Sequence, residues 1–326
     1  MDFRVPTRPQ LVLGLRALAT IAAVDGPRNA GEEAMLVAAW RGLGGEPGPL
    51  PELAPITPEA LAQGIEDRQI RFQLVGAMLV MSMADGELDP AEAALVSAFA
   101  AALEVADASV ANLERLAAKR YRIARLDILR RQWAALKIRD IAAAEGPGIY
   151  WRSLLGILRR NEDPALAARF RAFAELPAGS LGRAYYDFTA GNGFAFPGEL
   201  GAPPEVITFH DMTHVLAGYS TSPGDELLVA AFTAGYVRRE PLDMLMFVLP
   251  QFQLGIEIAP GVAPEYDYLD PARLLRAVRR GAAMNINLNE GWDYFDVVGE
   301  PVAALRERYN ILPEERFAGP IVGAAT

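Results

Sequence analysis

The sequence predicts an all-α protein made of two helical domains, and three observations carry that expectation. Apolar residues recur at three- and four-residue spacing along almost the whole chain, dominated by Ala, Leu, Arg and Glu. Runs of alternating β-branched residues are missing, so a few short extended pieces are the most the pattern allows for strand. The 326 residues, 52% of them hydrophobic, provide cores for two ordinary domains.

The elements follow in chain order. Arg4 and Arg8 precede the apolar run LVLGLRALATIAAV, which Arg16 interrupts and Asp25 ends. That pattern reads as a soluble helix and not as a secretion signal. The segment LATIAAVDGPRNAGEEAMLVAAW returns sixty residues later as MLVMSMADGELDPAEAALVSAF, with Asp25 and Gly26 over Asp85 and Gly86, and Glu32 over Glu92. Each copy reads as an apolar helix, an Asp-Gly turn and an amphipathic helix, and two such hairpins packed together bury both apolar faces. In the second copy Asp89, Pro90 and Glu92 fit a helix start as cap, first-position proline and capping-box acid. A Pro/Gly-rich connector, GGEPGPLPELAPITP, separates the copies.

Gly146, Pro147 and Gly148 mark the domain boundary, giving a first domain of residues 1–147 and a second of 148–326. Helices are expected around 150–160 and over 164–176, the latter opened by Asp163 and Pro164. A turn at Pro177, Gly179 and Ser180 leads into LGRAYYDF, and the glycine-rich loop GNGFAFPGELGAPP follows. Long helices are expected over about 204–218, 223–239, 241–257 and 271–284, with a last one near 298–309.

Charge and composition exclude several functions. Net charge is −10, from 41 acidic and 31 basic residues, without a dense basic stripe, so nucleic acid is not an expected partner. The best membrane-span candidate, LLVAAFTAGY, is stopped by Arg238, Arg239 and Glu240. The absence of cysteine removes disulfides, thiolate metal sites and thiol nucleophiles, and fits the reducing cytoplasm.

Chemistry concentrates in FHDMTHVLAGYSTSPGDE. The chain has two histidines, His210 and His214, four apart in a helical segment, so both imidazoles leave one face a turn apart. Asp211 stands beside the first; about 100° around the helix from His210, it is either a ligand or a partner that fixes a ring tautomer. Glu226 follows His214 after eleven residues, with Ser222 as cap and Pro223 at the first helical position. A first-turn acid also serves the helix dipole, so Glu226 is read either way. Two imidazoles with one or two carboxylates suit a divalent metal, zinc first, with iron or manganese as alternatives.

The motif His-Asp-x-x-His, eleven residues, then Glu resembles the signature of the coenzyme Q (ubiquinone) biosynthesis protein four family. LPAGSLGRAYYDF is similar to that family's Pro-x-Gly-Thr-x-Gly-Arg-x-Tyr-x-x-Phe segment, with Ser180 in the threonine position. RRGAAMNINLNEGWDYFDVVGEPVAALRERYNI is similar to its C-terminal stretch. The resemblance covers roughly residues 150–312. It implies an all-α metal-binding domain with ligands His210, Asp211, His214 and Glu226. It also implies a prenylated aromatic or quinone precursor as partner, oxidative removal of its C1 carboxylate, and peripheral contact with a membrane. A non-catalytic lipid-binding scaffold and a stress-response adaptor are the competing readings. Substrate-binding candidates are Arg183, Tyr185, Met244, Met246 and Phe247. Met and aromatic residues line adaptable apolar sites, although core packing explains the same residues. Arg183 either holds a substrate carboxylate or diphosphate, or pairs with a buried acid to fix its turn.

The first domain with its ADGELDPAE turn resembles the tellurite-resistance TerB-like helical domain. That resemblance implies a second metal site at Asp25, Asp85 and Glu92, and a partner-binding or regulatory role. An EF-hand is excluded, because Met81 and Met83 would occupy its first two liganding positions. A homodimer is also compatible with the chain.

Overall fold

The computed structural model describes residues 2–44, 49–132, 135–139 and 162–318. The expected boundary at Gly146–Gly148 and the helix expected around 150–160 lie outside the described residues. The described chain is all-α, without strands among the described residues. Two isolated bridges, Ser180 with Pro301 and Leu254 with Tyr266, are its only pairings of extended backbone there.

The repeat takes the expected form. Helices α1 (Arg8–Ile21) and α2 (Ala30–Gly42) form the first hairpin, and α4 (Arg68–Met81) and α5 (Pro90–Ala102) the second. Between the hairpins the connector adds a short helix, α3 (Pro58–Gly64), started by the Thr57 side chain and Pro58. Helices α6 (Ala108–Ala117) and α7 (Tyr121–Arg131) follow. The caps follow the side-chain chemistry. Asn29 and Glu32 make a reciprocal capping box at α2, and Asp67, Asp89 and Asp107 each accept a first-turn backbone N–H. Glu92 departs from expectation: Asp89 caps α5 through Ala91, while Glu92 is only 3% exposed and makes no capping-box bond.

The later helices are α8 (Pro164–Arg171), α9 (Leu181–Gly191), α10 (Thr208–Ala217), α11 (Pro223–Tyr236), α12 (Leu242–Phe252), α13 (Pro271–Ala282) and α14 (Val302–Arg308). Proline stands in the first turn of α8, α11 and α13, behind the caps Asp163, Ser222 and Asp270. Three helices stop short of the pattern read from sequence. Residues 205–207 form a separate tight turn before α10. Beyond α11 the chain leaves helix at Val237 and reaches a left-handed Glu240, and α12, with Pro250 inside it, ends before a left-handed Gly255.

The chain divides into two compact units that do not follow chain order. The first joins Met1–Leu129, Ser222–Ala283 and Pro313–Thr326; the second joins Arg130–Thr221 and Met284–Leu312. In the first unit every residue of α11 from Leu227 to Tyr236 is buried. Helix α11 packs against α12 and α13, α13 packs against α2, and α12 reaches α4 and α6. Backbones nearly touch where α11 crosses α13. A methyl built on Gly281 would fall on the Phe232 carbonyl oxygen, and one on Gly235 would fall on the Val278 carbonyl oxygen. The buried Arg279 then ties the assembly, donating Nη1 to the Gly42 carbonyl at 3.0 Å and to the Phe317 carbonyl at 3.2 Å.

In the second unit, α8, α9, α10 and α14 surround an aromatic core. Phe170 lies 5.3 Å from Phe173, 5.7 Å from Tyr185 and 5.5 Å from Phe295, centre to centre.

Gly281→Ala is expected to lower stability by about 2 kcal/mol or more, because rigid backbone and not a flexible side chain blocks the new methyl. Gly191→Ala, where a methyl meets nothing within 4 Å, is the control and leaves the thermal midpoint nearly unchanged. Thermal unfolding followed by circular dichroism reads both.

Candidate metal sites

Each unit holds side chains able to bind a metal ion: a histidine pair in the second, carboxylates in the first. The histidine pair is built by α10. His210 and His214 stand one turn apart, with ring centres 4.7 Å apart and planes nearly perpendicular. Their Nε2 atoms converge to 3.2 Å. Two nitrogens bound tetrahedrally to zinc at about 2.0–2.1 Å stand about 3.3 Å from one another, so the pair already has the spacing of a clamp.

The chain beyond α10 fixes the tautomer. Gly218 takes a left-handed φ of 80°, which only glycine adopts freely, and turns the backbone back on the helix. The Tyr219 carbonyl thereby comes within 3.3 Å of His214 Nδ1. A carbonyl only accepts, so Nδ1 carries the proton and the Nε2 lone pair faces His210. Phe188 of α9 stacks on the His214 ring at 5.6 Å, and Phe194, 47% exposed in the glycine-rich loop, meets Phe188 edge-on. Arg306 of α14 donates to the Leu216 and Val215 carbonyls at 2.8 and 3.1 Å, satisfying the open end of α10.

The other expected residues fall as follows. Asp211 lies in the first turn of α10, and its charge acts on the Tyr185 hydroxyl. Tyr185 is 1% exposed; burial first, then Asp211, holds its hydroxyl pKa far above the ordinary tyrosine range. Arg183 donates Nε to both carboxylate oxygens of Asp187 at 2.9 and 3.1 Å and Nη1 to the Ala174 carbonyl at 3.0 Å; its acid partner is exposed and not the buried one expected. Glu226 stands in the first turn of α11, in the first unit. Met244, Met246 and Phe247 lie on α12 of that same unit, where Met246 is fully buried, Met244 is 9% exposed and Phe247 is half-buried.

The carboxylate site lies between the two hairpins of the first unit. Oxygens of Asp25, Glu32 and Glu92 come within 4.8 Å of one another. Glu32 and Glu92 are 2% and 3% exposed, and Glu92 Oε1 is buried without a hydrogen-bond partner. Burial is the largest cause pushing the Glu92 carboxyl up to about 8, with the charges of Asp25, Asp85, Glu32 and Asp89 adding to it. Glu32 is also pushed up by burial, opposed by its bond from the Asn29 N–H. Asp85 faces this group and accepts from Asn29 Nδ2 at 3.2 Å. Of the expected trio Asp25, Asp85 and Glu92, the first and last belong to the converging set. Glu32 joins them, and its signal in the sequence was its alignment with Glu92 across the repeat.

Residues 58–115 match the family model described as tellurite resistance protein TerB. The match runs from α3 to α6, so it takes in Asp85 and Glu92 but not Asp25 and Glu32. No curated protein matches the chain. The TerB-like segment is the part of the chain that a family model supports, and the comparisons give no support to the resemblance of residues 150–312 to the coenzyme Q family.

Proposed function

We propose that this is a metal-dependent protein that binds a prenylated aromatic or quinone precursor. The observation that carries it is the 3.2 Å approach of two Nε2 atoms, one of them held with its lone pair inward by the Tyr219 carbonyl. Two imidazole nitrogens at the separation of adjacent ligands on one ion form a donor set that suits zinc, iron or manganese. To the pair we assign Glu226 and Asp211 as carboxylate ligands, the set that the resemblance to the coenzyme Q family implies. Bound there, a divalent metal supplies a Lewis acid for a carboxylate or phenolate oxygen. The protein's own residues do the rest. Tyr219 orients His214, Arg306 secures the helix end, and the stacked Phe188 with the exposed Phe194 offers faces for an aromatic head group. Among the described residues no helix is long and apolar enough to cross a membrane, so contact with a lipid surface would be peripheral.

A second reading concerns the TerB-like part and rests on one observation, the buried and unpartnered Glu92 Oε1 beside Asp25 and Glu32. A carboxylate in that position is stable when protonated or when facing a cation. An all-oxygen set suits a hard ion such as calcium, magnesium or manganese. This site gives the TerB-like segment a regulatory role.

Two measurements test these readings. Elemental analysis of purified protein is expected to find about one transition metal per chain, falling to near zero in His210→Ala and in His214→Ala. Full occupancy in both variants would sink the first reading, and mass spectrometry of co-purified lipid tests the partner. For Glu92 the folded pKa of about 8 lies above its ordinary 4.5, so the folded state keeps the proton longer. Stability is therefore full below about pH 4.5 and declines as pH rises toward 8. With chelator present, Glu92→Gln is expected to be more stable than wild type at pH 8, by on the order of 2 kcal/mol. The gap should close near pH 4.5, as read by thermal unfolding across pH.

A further inference from the structure

The turn Met83–Gly86 carries Asp85 toward the carboxylates on one side, and on the other it meets a long irregular segment, residues 254–269, between α12 and α13. This segment is a strap held by two buried glutamines at the end of α12. Gln251, 1% exposed, accepts from the Ile258 and Ala259 N–H groups at 2.7 and 3.0 Å and donates to the Val262 carbonyl at 3.1 Å. Gln253 is fully buried; its Oε1 accepts from the Leu269 N–H at 2.8 Å, and its backbone carbonyl accepts from Asp267 at 3.2 Å. Glu265 and Tyr268 complete the docking by donating to the Gln251 and Phe252 carbonyls.

Gln253 also reaches the acidic turn. Its Nε2 donates to the Ala84 carbonyl at 3.3 Å, so one side chain holds the end of the strap and the residue before Asp85. Tyr266 makes a second contact. Its hydroxyl lies so close to Gly86 that a methyl added there would stand 2.7 Å away, while the ring stays 55% exposed. From the opposite side Gly31 packs directly on the Ala84 carbonyl and Asn29 holds Asp85. The turn is thus clamped between the first hairpin and the strap, and it has little freedom to shift without moving both.

The turn carries Asp85 beside three further carboxylates, Asp25, Glu32 and Glu92, whose oxygens come within 4.8 Å of one another, with Glu92 Oε1 buried and lacking a hydrogen-bond donor. Negative charge among these carboxylates presses them, and the turn that carries Asp85, apart. A divalent cation among them reverses that force. We infer that a hard divalent cation in the carboxylate cluster holds the strap 254–269 down through the Ala84–Gln253 and Gly86–Tyr266 contacts, and that its loss releases the strap. This rests on the reading of the cluster as a cation site. Coupling of this kind is reciprocal, so a partner that captures the exposed Tyr266 and Tyr268 on a released strap would weaken cation binding.

The test is hydrogen–deuterium exchange of the full chain with calcium, magnesium or manganese chloride, beside calorimetric titration of the same ions. Saturating cation is expected to slow exchange across 254–269 by about tenfold in wild type. It should have no such effect in Glu92→Gln, which loses the ion, and little in Gln253→Ala, which keeps the ion but not the link. The wild-type comparison needs no substitution, so a variant that fails to fold leaves the test standing. If a cation binds and the strap exchanges as before, the coupling is wrong while the site survives. If none of the three ions binds, the cation reading of the cluster fails and the coupling with it.

Discussion

The close approach of α11 and α13 at Gly235 and Gly281 is the constraint on which the first unit depends. Side chains as small as a methyl would separate these helices, because the atoms opposite are carbonyl oxygens of the partner backbone. With the two axes brought together, α13 is placed to pack on α2, and Arg279 can reach the Gly42 and Phe317 carbonyls. Helix α12, packed on α11, then meets α4 and α6, which sets Gln253 against the second acidic turn. One unit is thereby assembled from three separated stretches of chain.

The two candidate metal sites differ in the physics that makes them. The histidine pair is an orienting device: a glycine turn brings a carbonyl to Nδ1, and the opposite nitrogen is left facing its neighbour. The carboxylate cluster is an electrostatic debt, since Glu92 loses hydration without gaining a hydrogen bond at Oε1 and faces further negative charge.

Local chemistry was the readable part of the sequence. The Asp-Gly turns, the Asp89–Pro90 and Asp163–Pro164 starts, and the Ser222–Pro223 start all took the form their residue types demand, because caps are settled within a few residues. His210 and His214 converged because helix periodicity alone places them. The capping-box bond expected of Glu92 does not form, and its inward turn toward partners sixty residues away was legible only through the TerB-like resemblance and the repeat. The roles of Gln251 and Gln253 were equally invisible: glutamine has no positional signature, and their partners lie up to 169 residues along the chain. Helix ends were overrun at 237–239 and 253–257, near the left-handed Glu240 and Gly255, in patterns that still looked amphipathic.

With two histidines in the whole chain and both on α10, every imidazole signal the protein emits originates in one place. Imidazole ring-proton resonances therefore become local probes of α10, with no histidine elsewhere in the chain to overlap them. The lack of cysteine extends this privilege, because a single introduced thiol could carry a spin label or fluorophore to any chosen helix without competition. The molecule is in that sense already prepared for spectroscopy, its composition having cleared the rest of the chain of interfering groups.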